Sequence, residues 1–256
     1  MVAGTRPRSV GFVSTAAATD SGRGPGRRGR DRRTGGVQGM KVVNGVQVYS
    51  SLAEILDPTH TALLIVDMQN DGCDERGWWA QQGRDVSAVR AVIPRIHALI
   101  GAAREVGCEV VYVEQTTLRE NRSDPPAWLY FKTRDGRQRV DYTLDGAWGQ
   151  QTVAELGPTD TAPVVRKNRS SAFHLTNLDL VLRARGVQSV LATGSVTQGC
   201  VLSTVYDASF HDYYTVVVGD AVASYSAELH AAAMKLMGAR YDVVQTQDVI
   251  NLWRSR

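Results

Sequence analysis

The sequence has few cysteines and no long apolar run. Its three cysteines, Cys73, Cys108 and Cys200, are widely spaced and form no CxxC pair, so they indicate neither a disulfide framework nor a zinc site and favour a reducing compartment. No apolar run approaches the ~18 residues that a membrane span needs, and no signal-peptide pattern or P-loop consensus is present. These absences predict a cytoplasmic protein with no membrane partner.

Charge is distributed unevenly along the chain. Residues 1–40 contain eight arginines against Asp20 and Asp31, a formal charge of +6, which leaves −3 on the rest of a chain whose total is +3. Almost no large apolar groups accompany these charges, so burial cannot offset the entropy of ordering. We predict a disordered Gly/Arg-rich tail over residues 1–40 and a single folded domain over 41–256. The arginines could attract nucleic acid, but a tail without that partner, or residues upstream of a start at Met40, is the preferred interpretation.

Apolar runs alternate with helical periodicity from residue 61 onward. Six stretches are typical of strands: 61–67, 109–114, 162–166, 189–193, 215–218 and 241–245. Helical patterns cover 84–106, 177–185, a stretch from about 199, and 226–237. This alternation predicts a three-layer α/β/α fold with a six-stranded, mainly parallel sheet and helices on both faces. Residues 42–56 suggest a hairpin or arm, and the aperiodic stretch 115–156 suggests a functional loop or lid.

Three residues with reactive side chains lie at or just after the ends of predicted strands. They are Asp67, Lys167 and Cys200, and the carboxyl ends of parallel strands meet at one edge of a sheet, where ligands bind. Cys200 is predicted in the first turn of a helix, where free N–H groups and the helix dipole favour a thiolate of depressed pKa and can hold an oxyanion. The alternative is structural: Cys200 as a buried small hydrophobe, Asp67 as a loop cap and Lys167 as a surface charge.

Together, these three residues can carry out acyl transfer. Asp67 would take the proton of the Cys200 thiol and later give it to a leaving amine, while Lys167 would hold the two negative charges together. The thiolate would attack an amide-type carbonyl, and water would then hydrolyse the thioester.

Three stretches resemble the isochorismatase-like cysteine hydrolases, most closely the N-carbamoylsarcosine amidohydrolase branch. They are LLIVDMQND (63–71), VVRKNRSSAFHLTNLDLVL (164–182) and VLATGSVTQGCVLSTVYDASFHDYYTVVVGDAVAS (190–224). The resemblance implies a catalytic triad of Asp67, Lys167 and Cys200, a cis peptide between Ser195 and Val196, and an oxyanion hole formed by the N–H groups of Val196 and Cys200. It also implies a homo-oligomer. Since residues 113–128 lack the histidines that nicotinamidases of this superfamily use for a metal, we expect neither metal nor cofactor.

Substrate contacts are harder to derive from the sequence. Apolar and aromatic side chains usually line small-ligand sites, and polar groups near the triad could orient a substrate, which gives the candidates Gln69, Asn70, Trp78, Trp79, Trp128, Arg169, Phe173 and His174. Relatives often carry Phe at the position of Gly72 and Gly at that of Leu175. Both departures, and His174 beside the second, are expected near the pocket.

We therefore expect hydrolysis of a C–N bond in a small amide, ureido compound or lactam through a Cys200 thioester. One alternative is a vinyl-ether hydrolase in which Asp67 is the acid and Cys200 is incidental. Another is a catalytically inactive scaffold of the same fold. Release of ammonia or an amine distinguishes the first hypothesis from both others.

Overall fold

The computed structural model describes residues 40–137 and 140–256. The predictions for residues 1–39, a disordered tail without a nucleic-acid partner, lie outside this part. The described chain opens with a two-stranded antiparallel hairpin, β1 (Lys41–Val43) and β2 (Val46–Val48). Asn44 and Gly45 have φ of 48° and 81° at its turn, the conformation that makes Asn-Gly a favoured two-residue hairpin loop. The predicted hairpin is thus present.

A six-stranded sheet forms the middle layer. Its strands are β3 (Thr61–Val66), β4 (Glu109–Gln115), β5 (Val164–Lys167), β6 (Ser189–Ser195), β7 (Tyr214–Ala223) and β8 (Asp242–Val244). They lie in the order β5-β4-β3-β6-β7-β8, and all five neighbouring pairs are parallel. This confirms the fold class, since each of the six predicted strands is present.

Helices cover both faces of this sheet. They are α1 (Leu52–Ile55), α2 (Asn70–Cys73), α3 (Trp78–Gln81), α4 (Ser87–Arg90), α5 (Ile93–Glu105), α6 (Pro126–Thr133), α7 (Leu178–Ala184), α8 (Leu202–Phe210), α9 (Ala227–Gly238) and α10 (Thr246–Arg254). Leu63 and Ile65 of β3 pack in a core cluster with α5 and α10. Leu64 and Val66 pack in a second cluster with α7, α8 and α9. Because successive strand residues point to opposite faces, β3 is apolar throughout and fully buried.

The strand order places the switch point of the sheet between β3 and β6. From β3 the chain proceeds to β4 and β5 on one side, and then crosses over to β6, β7 and β8 on the other. Crevices outside the carboxyl ends of strands at such a point are the usual ligand sites of open α/β sheets. Asp67 follows β3 and Cys200 follows β6, so both lie beside this crevice.

Two predicted elements differ from the structure. The single helix expected over 84–106 is divided into α4 and α5, and α5 begins at Ile93 with Pro94 in its first turn, where the missing N–H costs nothing. The stretch 115–156 contains α6, which opens on a proline pair, and three short 3₁₀ turns, Arg119–Asn121, Trp148–Gln150 and Ala154–Leu156. Among the described residues, no helix has the length and apolar character to cross a membrane.

Candidate active site

Asp67 follows the last residue of β3, and its carboxylate is held from two sides. One carboxylate oxygen lies 2.8 Å from Lys167 Nζ. The other accepts a hydrogen bond of 3.0 Å from the backbone N–H of Gln115, at the end of the adjacent strand β4. Charge-assisted contacts of this kind are stronger than neutral hydrogen bonds, so they fix the carboxylate at the sheet edge.

Lys167 ends β5 and is fully buried, so the alternative of a surface charge is wrong. Besides Asp67, its Nζ donates to Gln115 Oε1 at 2.9 Å and to the Arg169 carbonyl at 3.0 Å, and it lies 3.3 Å from Cys200 Sγ. Burial alone would lower the pKa of Lys167, but the charge of Asp67 and then the Cys200 sulfur outweigh it, and the pKa is raised. Lys167 therefore stays an ammonium that touches both other members of the predicted triad.

Cys200 lies in a single π-helical turn, Thr197–Val201, that joins β6 to α8. The sequence pattern predicts an α-helix from about Gly199, whereas the regular helix begins at Leu202. Single π turns are rare and occur frequently at functional sites.

The prediction of a depressed pKa for Cys200 is wrong. Burial of the sulfur, followed by the negative charge of Asp67, raises the pKa of the thiol to about 12, although Lys167 acts in the opposite direction. The helix-terminus argument fails because one ammonium already neutralises one carboxylate, so a thiolate would be the surplus charge in a buried site. The resting form is a neutral thiol beside a carboxylate that can accept its proton.

The sequence analysis missed Gln115, which organises this charge cluster. Its side-chain oxygen accepts from Lys167 at 2.9 Å, while its backbone N–H donates to Asp67. Gln69, expected at the substrate, also clamps this residue: its amide accepts from Gln115 N–H and donates to Gln115 O, both at 2.9 Å. The only available signal was that Gln115 directly follows the predicted strand 109–114, the next one along the chain after the strand that carries Asp67.

The peptide bond between Ser195 and Val196 is cis. It follows Gly194, whose φ is 110° and whose position could not carry a side chain, because a Cβ there would lie 2.0 Å from the Val66 carbonyl oxygen. A glycine thus allows β6 to approach β3 where both strands end. Thr197 begins the π turn, and its hydroxyl oxygen is 2.9 Å from His230 Nδ1 on α9.

A cavity of about 550 Å³ opens at this edge of the sheet. Asp67, Gln115, Val196 and Cys200 are in its wall, so both residues to which the resemblance assigns an oxyanion hole line the cavity. Aromatic rings form much of the remaining wall: Trp79, Trp128, Phe131, Tyr142 and Tyr225. The long stretch 115–156 contributes three of these rings, so it forms part of the cavity wall.

The candidate substrate contacts divide into two groups. Gln69, Trp79 and Trp128 line the cavity. Five others are not part of its wall, which corrects the prediction for Asn70, Trp78, Arg169, Phe173 and His174.

Each of those five side chains has another environment. The Asn70 amide donates to the Trp148 carbonyl at 2.8 Å, and Trp78 packs edge-on against Trp79 with ring centroids 4.8 Å apart. Arg169 donates to the Ser123 carbonyl and lies 4.8 Å above the Trp128 ring. Phe173 is buried against His211, and His174 is exposed.

Only one of the two departures from the relatives lies in the pocket. Gly72 lines the cavity, and its carbonyl accepts a hydrogen bond of 2.8 Å from the Tyr225 hydroxyl. A Cβ at this position would lie 3.0 Å from that hydroxyl oxygen, so the glycine provides room for Tyr225. Leu175 is instead 92% exposed and is not in the wall. The chain turns outward after the buried Phe173, and the expectation for Leu175 is wrong.

Two cavity residues carry buried polar atoms without a partner in residues 40–137 and 140–256. They are Trp128 Nε1, a donor, and Gln198 Oε1, an acceptor. Unpaired buried polar groups are costly, and in functional sites a ligand can satisfy them. The same ranges contain no cluster of three His, Cys, Asp or Glu side chains that could hold a metal ion.

Sequence relatives carry a consistent name. The chain is 35% identical over 173 residues to the ureidoacrylate amidohydrolase RutB of Klebsiella pneumoniae, covering 64% of this chain and 73% of the relative. It is 33% identical over 189 residues to the RutB of Methylobacterium radiotolerans, covering 70% and 73% of the two chains.

Solved structures of amidases are similar to this chain in fold. N-carbamoylsarcosine amidase from Thermoplasma acidophilum superposes with a TM-score of 0.57 at 27% identity, over 73% of this chain and 96% of that one. Nicotinamidase/pyrazinamidase PncA from Bacillus subtilis gives 0.62 at 25%, over 73% and 100%. The family model of the isochorismatase domain matches residues 61–249, so the resemblance is confirmed and the chain belongs to the isochorismatase family.

Proposed function

We propose that this chain is a cysteine-dependent hydrolase of a C–N bond in a small amide or ureido compound, with Cys200 as the nucleophile. The observation that carries the proposal is the position of the Lys167 ammonium, 2.8 Å from the Asp67 carboxylate and 3.3 Å from the Cys200 sulfur. This arrangement supplies a nucleophile and a base at the cavity, with a fixed positive charge in contact with both. The sequence relatives named ureidoacrylate amidohydrolase support a ureido acid as the finer substrate class.

The first half-reaction forms a covalent intermediate. Asp67 takes the thiol proton as the sulfur attacks the carbonyl carbon, so the high pKa of the free thiol is no obstacle. The N–H groups of Val196 and Cys200 stabilise the negative charge that develops on the carbonyl oxygen. When the C–N bond breaks, Asp67 returns the proton to the leaving nitrogen, and ammonia departs from a primary amide or a ureido group.

The second half-reaction consumes water. Asp67 takes a proton from a water molecule whose oxygen attacks the thioester, or the thiocarbamate when the substrate is a ureide. The C–S bond breaks, the proton returns to sulfur, and a carboxylic or carbamic acid leaves. Lys167 remains charged throughout and keeps the net charge of the site low.

Ammonia release from a panel of ureido acids, simple ureides and primary amides tests the proposal. We expect turnover of at least one ureido acid, and a loss of about 10³-fold or more in kcat for both Cys200→Ala and Asp67→Asn, because the nucleophile and its base act as a unit. Acid quenching followed by intact mass spectrometry should detect the acyl-enzyme. Absence of ammonia release, together with hydrolysis of a vinyl ether that Cys200→Ala retains in full, would instead favour the vinyl-ether reaction, in which Asp67 is the acid.

A further inference from the structure

The cavity wall is rich in cations. Four basic residues line it, Arg84, Lys132, Arg134 and Arg137, against the two carboxylates of Asp67 and Asp135. An enclosed surface with one sign of charge in excess attracts ligands of the other sign. A cation is available to a ligand anion only where no protein carboxylate already pairs with it.

Two of the four are already paired. Arg137 holds Asp135 at 2.6 Å, and the Asp67 carboxylate is paired at 2.8 Å with Lys167, which is fully buried and outside the wall. Lys132 lies 2.6 Å from Asp124, which is outside the cavity wall. Within residues 40–137 and 140–256, neither Arg84 nor Arg134 forms an ion pair with a carboxylate.

Arg84 is also the better oriented of these two. Its guanidinium carbon lies 4.7 Å from the centre of the Trp79 ring and 5.7 Å from that of Tyr225, and both rings line the cavity. Stacking on aromatic faces restrains the guanidinium plane and leaves its N–H edge available, which is the geometry for bidentate recognition of a carboxylate. Arg134 lies more loosely, 5.5 Å from the Phe131 ring.

We propose that Arg84, assisted by Arg134, forms an anion subsite that selects substrates carrying a carboxylate at the end remote from the reacting carbonyl. The inference rests on the proposed function and deepens it: the hydrolysed compound is a ureido or amido acid rather than a neutral amide. Arg84 fixes the remote end of the substrate, and Cys200 attacks the carbonyl carbon.

Binding to a variant that cannot turn over tests the subsite separately from the reaction. In the Cys200→Ala background, NMR titration compares 3-ureidopropionate with its neutral primary amide, which has the same ureido group and nearly the same shape. We expect the acid to bind about tenfold more tightly, the lower end of the range for a charge-assisted contact at a partly exposed site. Arg84→Met should abolish this preference without weakening the neutral ligand, and Arg134→Met should reduce it.

Arg185→Met is the matched control. Arg185 pairs with Glu109, at the amino end of β4 and thus at the opposite edge of the sheet. The Arg185→Met substitution therefore removes the same charge as Arg84→Met without changing the cavity. Added salt should weaken binding of the acid in the parent and in the control more than in Arg84→Met.

Three outcomes would overturn the subsite. The parent could bind the acid and the amide with equal affinity, it could bind neither detectably, or Arg84→Met could weaken binding of the acid and of the amide equally. Failure of the proposed function is a separate outcome, since it would appear as absence of ammonia release by the unmodified enzyme even when the acid-selective binding is present.

Discussion

At the scale of single residues, charge balance determines where the proton of the site resides. Asp67 and Lys167 neutralise each other at 2.8 Å, so ionisation of Cys200 would place an uncompensated charge in a buried site. The sulfur therefore keeps its proton until a carbonyl carbon is in position, and the same carboxylate that raises the thiol pKa is the base that removes the proton.

Alkylation of Cys200 by iodoacetamide should be slow at neutral pH. Burial and Asp67 raise the pKa of the Cys200 thiol to about 12, so at pH 7.5 the thiolate fraction is below that of a free cysteine. As the pH rises from 7.5, this fraction, and with it the labelling rate, should increase about tenfold per pH unit. The raised pKa of Cys200 also makes the free energy of unfolding depend on pH. Its stabilising contribution is fully present below the ordinary thiol pKa and is lost as the pH rises toward about 12. Peptide-resolved mass spectrometry measures the labelling rate.

Two variants should shift this rate in opposite directions. Asp67→Asn removes the negative neighbour and should accelerate labelling while it abolishes turnover, whereas Lys167→Met removes the positive neighbour and should slow labelling further. Labelling of the unmodified protein that is already fast at pH 7.5 would show that the resting form is a thiolate. Cys73 and Cys108, which are buried, serve as internal references for accessibility.

Lys167→Met should also destabilise the fold. Lys167 has no exposed surface and the Asp67 side chain is only 11% exposed, so removing one partner leaves the other charge buried, at a cost of about 3–5 kcal/mol. Urea unfolding measures this loss. The double variant Asp67→Asn/Lys167→Met should regain most of the stability but none of the activity, and an equally unstable double variant would contradict the charge argument.

The reactive residues could be predicted from the sequence, but their neighbours could not. Asp67, Lys167 and Cys200 follow strand ends, and the topology of a parallel sheet brings such positions together. Gln115 does not titrate, and its role arises only from the register that sets β4 between β3 and β5. The pKa of Cys200 was predicted to shift in the wrong direction, because the burial of the thiol and the charges of its neighbours are properties of the tertiary structure.

At the scale of elements, the 115–156 stretch is anchored by a buried ion pair. Lys132 of α6 lies 2.6 Å from Asp124, each side chain is 1% exposed, and Lys132 also contacts the Thr117 hydroxyl at 3.3 Å. Since α6 carries Trp128 into the cavity wall, this pair links the stability of the segment to the shape of the site.

Lys132→Met should loosen this segment. The unpaired Asp124 would cost about 3–5 kcal/mol where it is buried, so local opening should relieve it, raising KM more than it lowers kcat. Hydrogen exchange of peptides covering 117–135 and steady-state kinetics are the measurements. Arg122→Met is the matched control, because Arg122 and Glu120 form an exposed pair at 3.8 Å in the same segment, which is worth little. Equal exchange in both variants would contradict the anchoring role.

Periodicity explains which elements could be predicted. The central strands are uninterrupted apolar runs, so their pattern is clear. The helix expected over 84–106 has the correct apolar face, yet it divides near Pro94, and periodicity alone does not mark that break. The eight residues of α6 are too few for a periodic signal, and both this helix and the rings it contributes are fixed by contacts distant in sequence.

At the scale of the whole molecule, the two core clusters and the site described above consist of residues after Met40. Among residues 40–137 and 140–256, the first buried core residue is Leu56, and the clusters on the two faces of the sheet draw on elements from there to α10. Every residue assigned a role in the reaction also lies within this range. The two parts of the chain differ in charge as well, since residues 1–40 carry +6 and the others −3.

A variant that starts at Met40 should therefore retain the activity and the stability of the full chain. Because this variant retains both core clusters and every residue assigned a role in the reaction, we expect kcat/KM within about twofold and Tm within about 2 °C of the full-length values. Its isoelectric point should fall from the sequence value of about 8.8 to the acidic side, because the excess of arginine is removed. Thermal unfolding, ammonia release and isoelectric focusing measure these three properties on the same two samples. A large loss of stability or activity would mean that the arginine-rich segment contributes to the folded enzyme, and the prediction of a disordered tail would be wrong.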